Sequence, residues 1–408
     1  MSAAIVFQSL PQPWMRQGAA RRVYDVLEKA GGEPRFVGGC VRDALLGRQI
    51  RDIDIATPLT PDRVTQALAA AGLKAVPTGI EHGTVTAVAE GVGIEVTTLR
   101  RDVETFGRHA VVSFTADWRE DAARRDLTMN ALSATADGEV HDYFGGLDDL
   151  KQGRVRFVGA PADRMREDYL RILRFFRFHA DYAPGEFDAA ALAAALELKD
   201  NLAALSGERL RQETLKLLAA RRGVATWGEM LDLGIAETYL PQATTFDRLK
   251  KVAGLESEFD LGPDPVRRLA ALALTGSGGA IAEQLRLSNA ERDRVVAASA
   301  PRPDFAVADP HDVRRQIYDL GNDRALDLLL IDWGNSEPAA DWHRAYGIVR
   351  DWTRPHFPLA GRDAVALGVA PGPRVGEVLK SVEAWWIAGD FAATRAACLA
   401  ELRRRAVN

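Results

Sequence analysis

Short apolar runs broken by glycine dominate the first third of the chain, and apolar residues at helical spacing dominate the rest. Arg35-Phe36-Val37 is a short apolar run ending at Gly38-Gly39, and a helical stretch from Val41 to Leu46 follows. Ile53 to Ala56 reads as a strand with acids interleaved. Thr84 to Ala89 and Ile94 to Leu99 are β-branched runs separated by Gly91 and Gly93, the pattern of a hairpin. Beyond about Asp148 the β signal fades. From Asp168 onward Ala, Leu, Arg and Glu recur at helical spacing, and 254–265, 276–279 and 301–310 read as loops between helices. Strands first and helices afterwards predict an α+β head followed by an all-α remainder.

Composition narrows this picture. A chain of 408 residues with 47% hydrophobic content predicts two or three domains with real cores, not a disordered chain. Its two cysteines, Cys40 and Cys398, suit a reducing compartment and exclude a disulfide scaffold or a cysteine-rich metal site. No apolar run approaches the ~18 residues of a membrane span. No basic stretch followed by an apolar one precedes Trp14, so the expected location is the cytoplasm. Net charge is 52 − 57 = −5, unlike a protein that coats nucleic acid. One stripe departs from that mean: Arg164, Arg166, Arg171, Arg174 and Arg177 face only Glu167 and Asp168. It reads either as a salt-bridged helix face or as a grip on one phosphate-rich ligand.

The sharpest local chemistry is Asp52-Ile53-Asp54, soon after Gly38-Gly39-Cys40-Val41-Arg42-Asp43. On a strand, positions i and i+2 share a face, so two carboxylates would stand side by side and repel unless a cation lies between them. Hard oxygen ligands at this spacing suit Mg²⁺, which also holds substrate phosphates, and a Gly-Gly turn before a helix admits a triphosphate. Asp-x-Asp is also a common surface pattern. Glu95, inside the apolar strand Ile94-Glu95-Val96, reads as a third acid of that site or as an outward-facing strand residue. Downstream, Asp168 and Arg171 are spaced as helical neighbours. A carboxylate accepts from an exocyclic amino group and a guanidinium donates to a ring acceptor, so the pair suits cytosine and adenine and rejects uracil and guanine. Steps of three drift around a helix, which directs Arg174 and Arg177 to phosphate or core instead of the same base edge.

These strings together resemble the bacterial (class II) tRNA nucleotidyltransferase and poly(A) polymerase family of the polymerase-β superfamily. Gly38 to Asp43 with Asp52-Ile53-Asp54 resembles its nucleotide and metal motif, and Arg124 to Leu132 its ribose-selecting motif. Asp142-Tyr143-Phe144-Gly145-Gly146 through Gly159 is similar to its hinge. Glu167-Asp168-Tyr169-Leu170-Arg171 is similar to its base-templating motif, and Ser206-Gly207-Glu208-Arg209 to its last neck motif. The resemblance implies a head with a mixed sheet over 1–145, a helical neck over 146–225 and a helical, RNA-binding body and tail over 226–408. It implies nucleotide transfer from CTP and ATP to a tRNA 3′ end, without a nucleic-acid template and with Mg²⁺. Asp52 and Asp54 would hold the metal, with Glu95 beside them. Gly38, Gly39 and Arg42 would meet the triphosphate, Arg125 would lie in the pocket and Asp126 would select the ribose. Asp168 and Arg171 would select the base, and Arg174 and Arg177 would complete the pocket.

Within the family, Pro77 to Val85 looks like the tRNA-repair branch, and no segment typical of the poly(A) polymerases follows the metal motif. Asp102 to His109 resembles the flexible loop of enzymes that add C, C and A, although Phe106 stands where Asp is frequent and Tyr169 replaces the usual Pro. Poly(A) polymerase and CC-only or A-only addition stay open on this ground. Leu367 to Gly376 looks like a tail segment near RNA phosphates, or is a Gly/Pro loop. His311-Asp312 has no helical His partner, so no phosphohydrolase domain is expected.

Overall fold

The computed structural model describes residues 7, 9–50, 52–106, 109–337 and 340–406. Two compact units divide the chain, Met1–Pro241 and Gln242–Asn408. The first carries every strand among the described residues, and the second is helical. This is the α+β head followed by helices that the hydrophobic pattern predicts.

Nine strands follow one another in the first unit: β1 (Arg35–Val37), β2 (Asp54–Thr57), β3 (Lys74–Gly79), β4 (Thr84–Ala89), β5 (Val92–Thr98), β6 (Arg100–Phe106), β7 (His109–Phe114), β8 (Ser133–Ala134) and β9 (Val140–His141). Seven form one sheet in the order β3-β4-β5-β2-β1-β8-β9, while β6 and β7 pair separately. The sheet is mixed, because β2 runs parallel to β5 and every other pair is antiparallel. Alternation along β4 and β5 buries Val85, Ala87, Ala89, Ile94 and Val96 and leaves Thr84, Thr86 and Thr97 partly exposed. Helices α1 (Pro13–Arg16) and α2 (Gly18–Lys29) precede the sheet, α3 (Gly39–Leu45) follows β1, and α4 (Pro61–Ala70) follows β2. Val23 and Leu27 of α2 and Val64 and Leu68 of α4 are buried, and both helices pack on the sheet. On the other face Val37, Ala56 and Leu99 pack with Trp118, while Glu95 is exposed and Thr84, Thr86 and Thr97 are partly exposed.

Beyond the sheet come α5 (Trp118–Ala123), α6 (Gly146–Gln152), α7 (Pro161–Glu167), α8 (Leu170–Tyr182), α9 (Ala189–Leu198) and α10 (Gly207–Ala219). Asp117 caps α5 by accepting from the Arg119 N–H, and Asp188 caps α9 by accepting from that of Ala191. Gly146 begins α6 where the backbone passes so closely that a Cβ would lie 2.3 Å from the Thr128 carbonyl oxygen. Buried Asp149 locks this joint: it accepts from Thr128 Oγ1 at 2.6 Å and pairs with Arg154 and Arg156. The segment expected to act as a hinge is thereby bonded to the segment 126–128, through Val158 N–H to the Asp126 carbonyl at 3.0 Å.

Several boundaries move. The helix expected at Val41 starts at Gly39, and β2 starts at Asp54, so Asp52 precedes the strand. Helix Phe246–Glu258 runs through Gly254, because Leu249, Val252 and Leu255 form a buried stripe that outweighs one glycine. Gly278 opens a helix instead of closing a loop, while 301–309 is a loop as expected. The short strands β3, β8 and β9 and the hairpin β6–β7 gave too little periodicity to be read. Gly107 and Arg108, at the tip of the expected flexible loop, lie outside the described residues, as does Arg51. No described helix is long and apolar enough to cross a membrane.

Candidate nucleotide site

A cavity of about 300 Å³ lies in the first unit. Gly38, Gly39 and Arg42 form one wall, Arg125 and Asp126 another, and Arg174 and Arg177 of α8 a third. Residues 38–178 thus converge from separate sequence motifs on one space. Gly38 has φ +69°, which favours glycine, and the bare backbone there leaves room for the mobile end of Arg125, whose Nη1 would lie 2.9 Å from a Cβ.

One network spans the cavity. Arg42 donates to Asn130 Oδ1 at 2.5 Å, and Asn130 Nδ2 donates to Asp126 Oδ1 at 3.0 Å. Asp126 accepts from Arg174 Nε at 2.7 Å, Arg174 lies 3.7 Å from Glu213, and Glu213 accepts from Arg177 Nε at 2.6 Å. Burial works against the Asp126 charge, but the Arg174 guanidinium and the donors Asn130 and Leu127 outweigh it and hold the carboxyl well below the usual range. Burial likewise opposes the charge of Arg42, and its bonds to Asp43 raise its pKa nonetheless. Arg42 also stacks over Tyr182, and Arg177 lies 4.2 Å over the Phe178 ring. Four guanidinium groups and one carboxylate line a concave space, which suits a polyanion.

The acids stand beside this cavity without lining it. Asp54 and Glu95 are register partners on the parallel strands β2 and β5. Burial, then Glu95 and Asp52, push the Asp54 carboxyl up to about 6, against the pull of Arg125, a cavity residue. A carboxylate raised by burial and by its neighbours' charge is what a hard divalent cation relieves, and the donor set fits Mg²⁺ in that respect. Among the described residues no three acidic, histidine or cysteine side chains gather into a preformed metal cage. Asp52 and Asp54 would supply two ligands, leaving phosphate and water to complete the shell.

The base-reading pair differs from expectation. Asp168 is not a helical neighbour of Arg171: it sits in extended conformation between α7 and α8, which begins at Leu170. Its carboxylate accepts from Leu170 N–H at 3.1 Å, capping α8, and from Arg209 Nη2 at 2.6 Å. Arg171 instead bonds Glu167 and the Arg164 carbonyl. The break follows from Asp168 itself, whose side chain competes for backbone N–H groups and favours helix ends. Neither residue lines the cavity.

Sequence reasoning missed Asn130, Phe178, Arg209 and Glu213 as participants. Asn130 and Arg209 lie inside quoted motifs, and Phe178 follows Arg177 directly; only Glu213, far downstream on α10, carried no local signal. Elsewhere, His311 Nε2 is 2.8 Å from the Ile387 carbonyl oxygen and Asp312 pairs with Arg315, so both are held in structural contacts.

Comparison with known proteins places these features in context. Residues 34–156 match the family described as the poly(A) polymerase head domain, and 186–246 that described as a probable RNA and SrmB-binding site of polymerase A. The mitochondrial CCA tRNA nucleotidyltransferase 1 of Danio rerio is 35% identical over 376 residues, covering 89% of this chain and 85% of that protein. The CCA-adding enzyme of Levilactobacillus brevis is 32% identical over 388 residues, covering 91% and 94% respectively. The crystal structure of the Bacillus stearothermophilus CCA-adding enzyme in complex with CTP superposes with a TM-score of 0.71 at 26% identity, covering 97% of this chain and 98% of that one.

Proposed function

The chain belongs to the CCA-adding tRNA nucleotidyltransferases, and from that premise we propose how its own residues divide the work. It is a template-independent nucleotidyltransferase that extends the tRNA 3′ end with C, C and A from CTP and ATP, releasing pyrophosphate. We assign nucleotide transfer to residues 1–145, base recognition to the helical neck 146–225 and RNA binding to 226–408. The location is the cytoplasm, which two buried free thiols, Cys40 and Cys398, suit.

Arg42, Arg125 and Arg174 neutralise the triphosphate, against a wall that Gly38 and Gly39 leave free of side chains. Asp126, held as a carboxylate by Arg174 and Asn130, meets the ribose hydroxyls, and Arg177 holds α8 against α10 through Glu213. Asp168 and Arg171 read the base by exchanging Arg209 and Glu167 for the amino group and ring acceptor that cytosine and adenine share. Asp52 and Asp54, with Glu95 beside them, would hold Mg²⁺, whose chemistry there would be Lewis-acid stabilisation of charge on the attacking and leaving oxygens. No protein nucleophile is needed.

The observation that carries this reading is the convergence of the glycine turn, the Arg125-Asp126 segment and α8 on one cation-lined cavity beside Asp54. Purified protein with tRNA transcripts lacking CCA, or ending in CC, tests it with CTP alone, ATP alone or both. Two additions from CTP, one A on the CC-ended transcript and three from the mixture are expected, all abolished by EDTA and restored by Mg²⁺. Long A tails without C would transfer the chain to poly(A) synthesis, and arrest after CC would make it a CC-only enzyme.

A further inference from the structure

The face of the head sheet opposite α2 and α4 is covered by Trp118 at Ala56, and beyond it carries a motif that the nucleotide cavity leaves unused. Pro77–Val85 contributes Thr78 to β3 and Thr84 to β4. Two rungs cross four strands on that face. One runs Asp54, Glu95, Thr86, Val76, and the next runs Ala56, Thr97, Thr84, Gly79. Residues directly opposed on neighbouring strands share a face, so the three threonines stand on the same surface as the acids. Hydroxyl contacts join Thr84 to Thr97 and Thr86 to Thr78. Thr84 and Thr97 hydroxyls lie 3.3 Å apart, and Thr78 and Thr86 hydroxyls 2.8 Å apart. Strand spacing of about 4.8 Å puts Thr86 about 10 Å from Asp54 along its rung, within reach of a single nucleoside.

Sheet order fixes which reactant this surface meets. Gly38 follows β1 and Asn130 precedes β8, so the cavity belongs to the β1–β8 side of β2. The threonines lie on β4 and β5, on the other side. The acids stand between. In nucleotidyl transfer the RNA 3′ oxygen bonds the α-phosphorus while the α–β bridging P–O bond breaks in line. Pyrophosphate leaves, and the hydroxyl proton passes to solvent. A nucleoside triphosphate in the cavity therefore requires the RNA end to arrive over β5 and β4. Thr84, Thr86 and Thr97 offer hydroxyls and no charge, so the group they suit is a neutral ribose, whose 2′-OH both donates and accepts as they do.

We propose that Thr84, Thr86 and Thr97 seat the terminal ribose of the RNA, bonding its 2′-OH and turning its 3′-OH toward Asp54 and Glu95. The inference rests on the CCA-adding reading above and makes these threonines positioning residues that require RNA in place of DNA at the primer end.

The test pairs CC-ended tRNA with the same tRNA carrying a 2′-deoxy terminal ribose, and measures kcat/KM for A addition with each. The native enzyme favours the ribose end by about tenfold, the worth of a hydrogen bond whose partner is otherwise left unmet. Thr86→Val, Thr84→Val and Thr97→Val keep the β-branched shape the strands need. Each lowers that ratio, and the triple variant brings it close to one with the KM for ATP and the melting temperature unchanged. Thr86→Ser, which keeps the hydroxyl, retains the ratio. A full ribose preference in all three single variants would overturn the proposal. Failure of the native enzyme to extend the ribose-ended tRNA would overturn the CCA-adding reading instead.

Discussion

Each unit of this protein contains a cluster of arginines and carboxylates, and the two are built to opposite ends. In the second unit Glu256 and Asp327, 1% and 2% exposed, meet Arg267, Arg268 and Arg294 in a closed lattice. Arg267 pairs with both acids, Arg268 with Glu256, and Arg294 with Asp327 and Asp264. Asp264 also caps the helix Pro265–Leu272. Three cations answer three acids. In the first unit each cavity guanidinium also has an acid partner, Asp43 for Arg42, Asp121 for Arg125, Asp126 for Arg174 and Glu213 for Arg177, yet these arginines face an open concave space, and beside it burial and the neighbouring Glu95 and Asp52 raise Asp54 to about 6. A closed cluster answers only its own charges, whereas arginines that also face a cavity and carboxylates that crowd one another suit a polyanion and a cation.

The largest effect expected from this contrast falls on Asp54. Asp54→Asn should lower nucleotide incorporation on the order of 10³-fold by removing a metal ligand, as single-turnover assays would show. Stability should move the other way. The folded carboxyl titrates above its unfolded value, so ionising it costs stability as pH rises through the window from about 4 to 6. Removing that charge should raise the melting temperature at pH 7. A variant both inactive and less stable would break the comparison.

Glu256→Ala is the mirror experiment. It strands Arg267 and Arg268 without their shared acid and should cost about 3–5 kcal/mol in urea unfolding. Incorporation per folded molecule should not change.

His179 sharpens the contrast with pH. Its ring is 1% exposed, on the same helix as Arg174 and Arg177 and 4.0 Å from Phe187. Burial, aided by Arg222, lowers it to about 4. The unfolded chain takes up that proton near pH 6.5, so stability falls progressively as pH drops from 6.5 to 4, by about 3 kcal/mol in total. In the second unit the Arg294 guanidinium, against burial, holds the Asp264 carboxyl below the ordinary range. Asp54 contributes in the opposite sense over the same window, so the acid loss should be read in the Asp54→Asn background, where unfolding of the first unit should show it and His179→Gln should remove it.

What was legible in the sequence follows the same division. Arg42 could be read beside the Gly38-Gly39 turn and Asp54 from its Asp-x-Asp spacing, whereas Arg125 and Arg174 entered the pocket through the resemblance of their segments to family motifs. The sheet's long strands could be read because one face is buried and alternation survives; β8 and β9, two residues each, hold no period. The partners Glu213 and Arg209 could not, since a contact between helices 30 or more positions apart leaves no local pattern. The pairing of Asp168 with Arg171 failed for a local reason: helical spacing was assumed across a residue that ends one helix and caps the next.

That failure sets the last and smallest prediction. Arg171 is held outside the cavity by Glu167 and the Arg164 carbonyl, and Asp168 by Arg209. Base reading then requires two ion pairs to open, and the binding energy of the correct base must offset both. Arg171→Ala removes a donor to the ring acceptor, so C and A lose their advantage over U and G by about tenfold, the worth of one charge-assisted hydrogen bond. Triphosphate affinity, carried by Arg42, Arg125 and Arg174, should hold. Arg209→Ala should act in the opposite sense, freeing Asp168 for the base while loosening α10 from the α7–α8 junction. Misincorporation of UTP and GTP, measured against CTP and ATP in the two variants, separates these effects. If both variants select as the native enzyme does, the base is read by Arg174 and Arg177 inside the cavity, and the junction between α7 and α8 is structural like the lattice of the second unit.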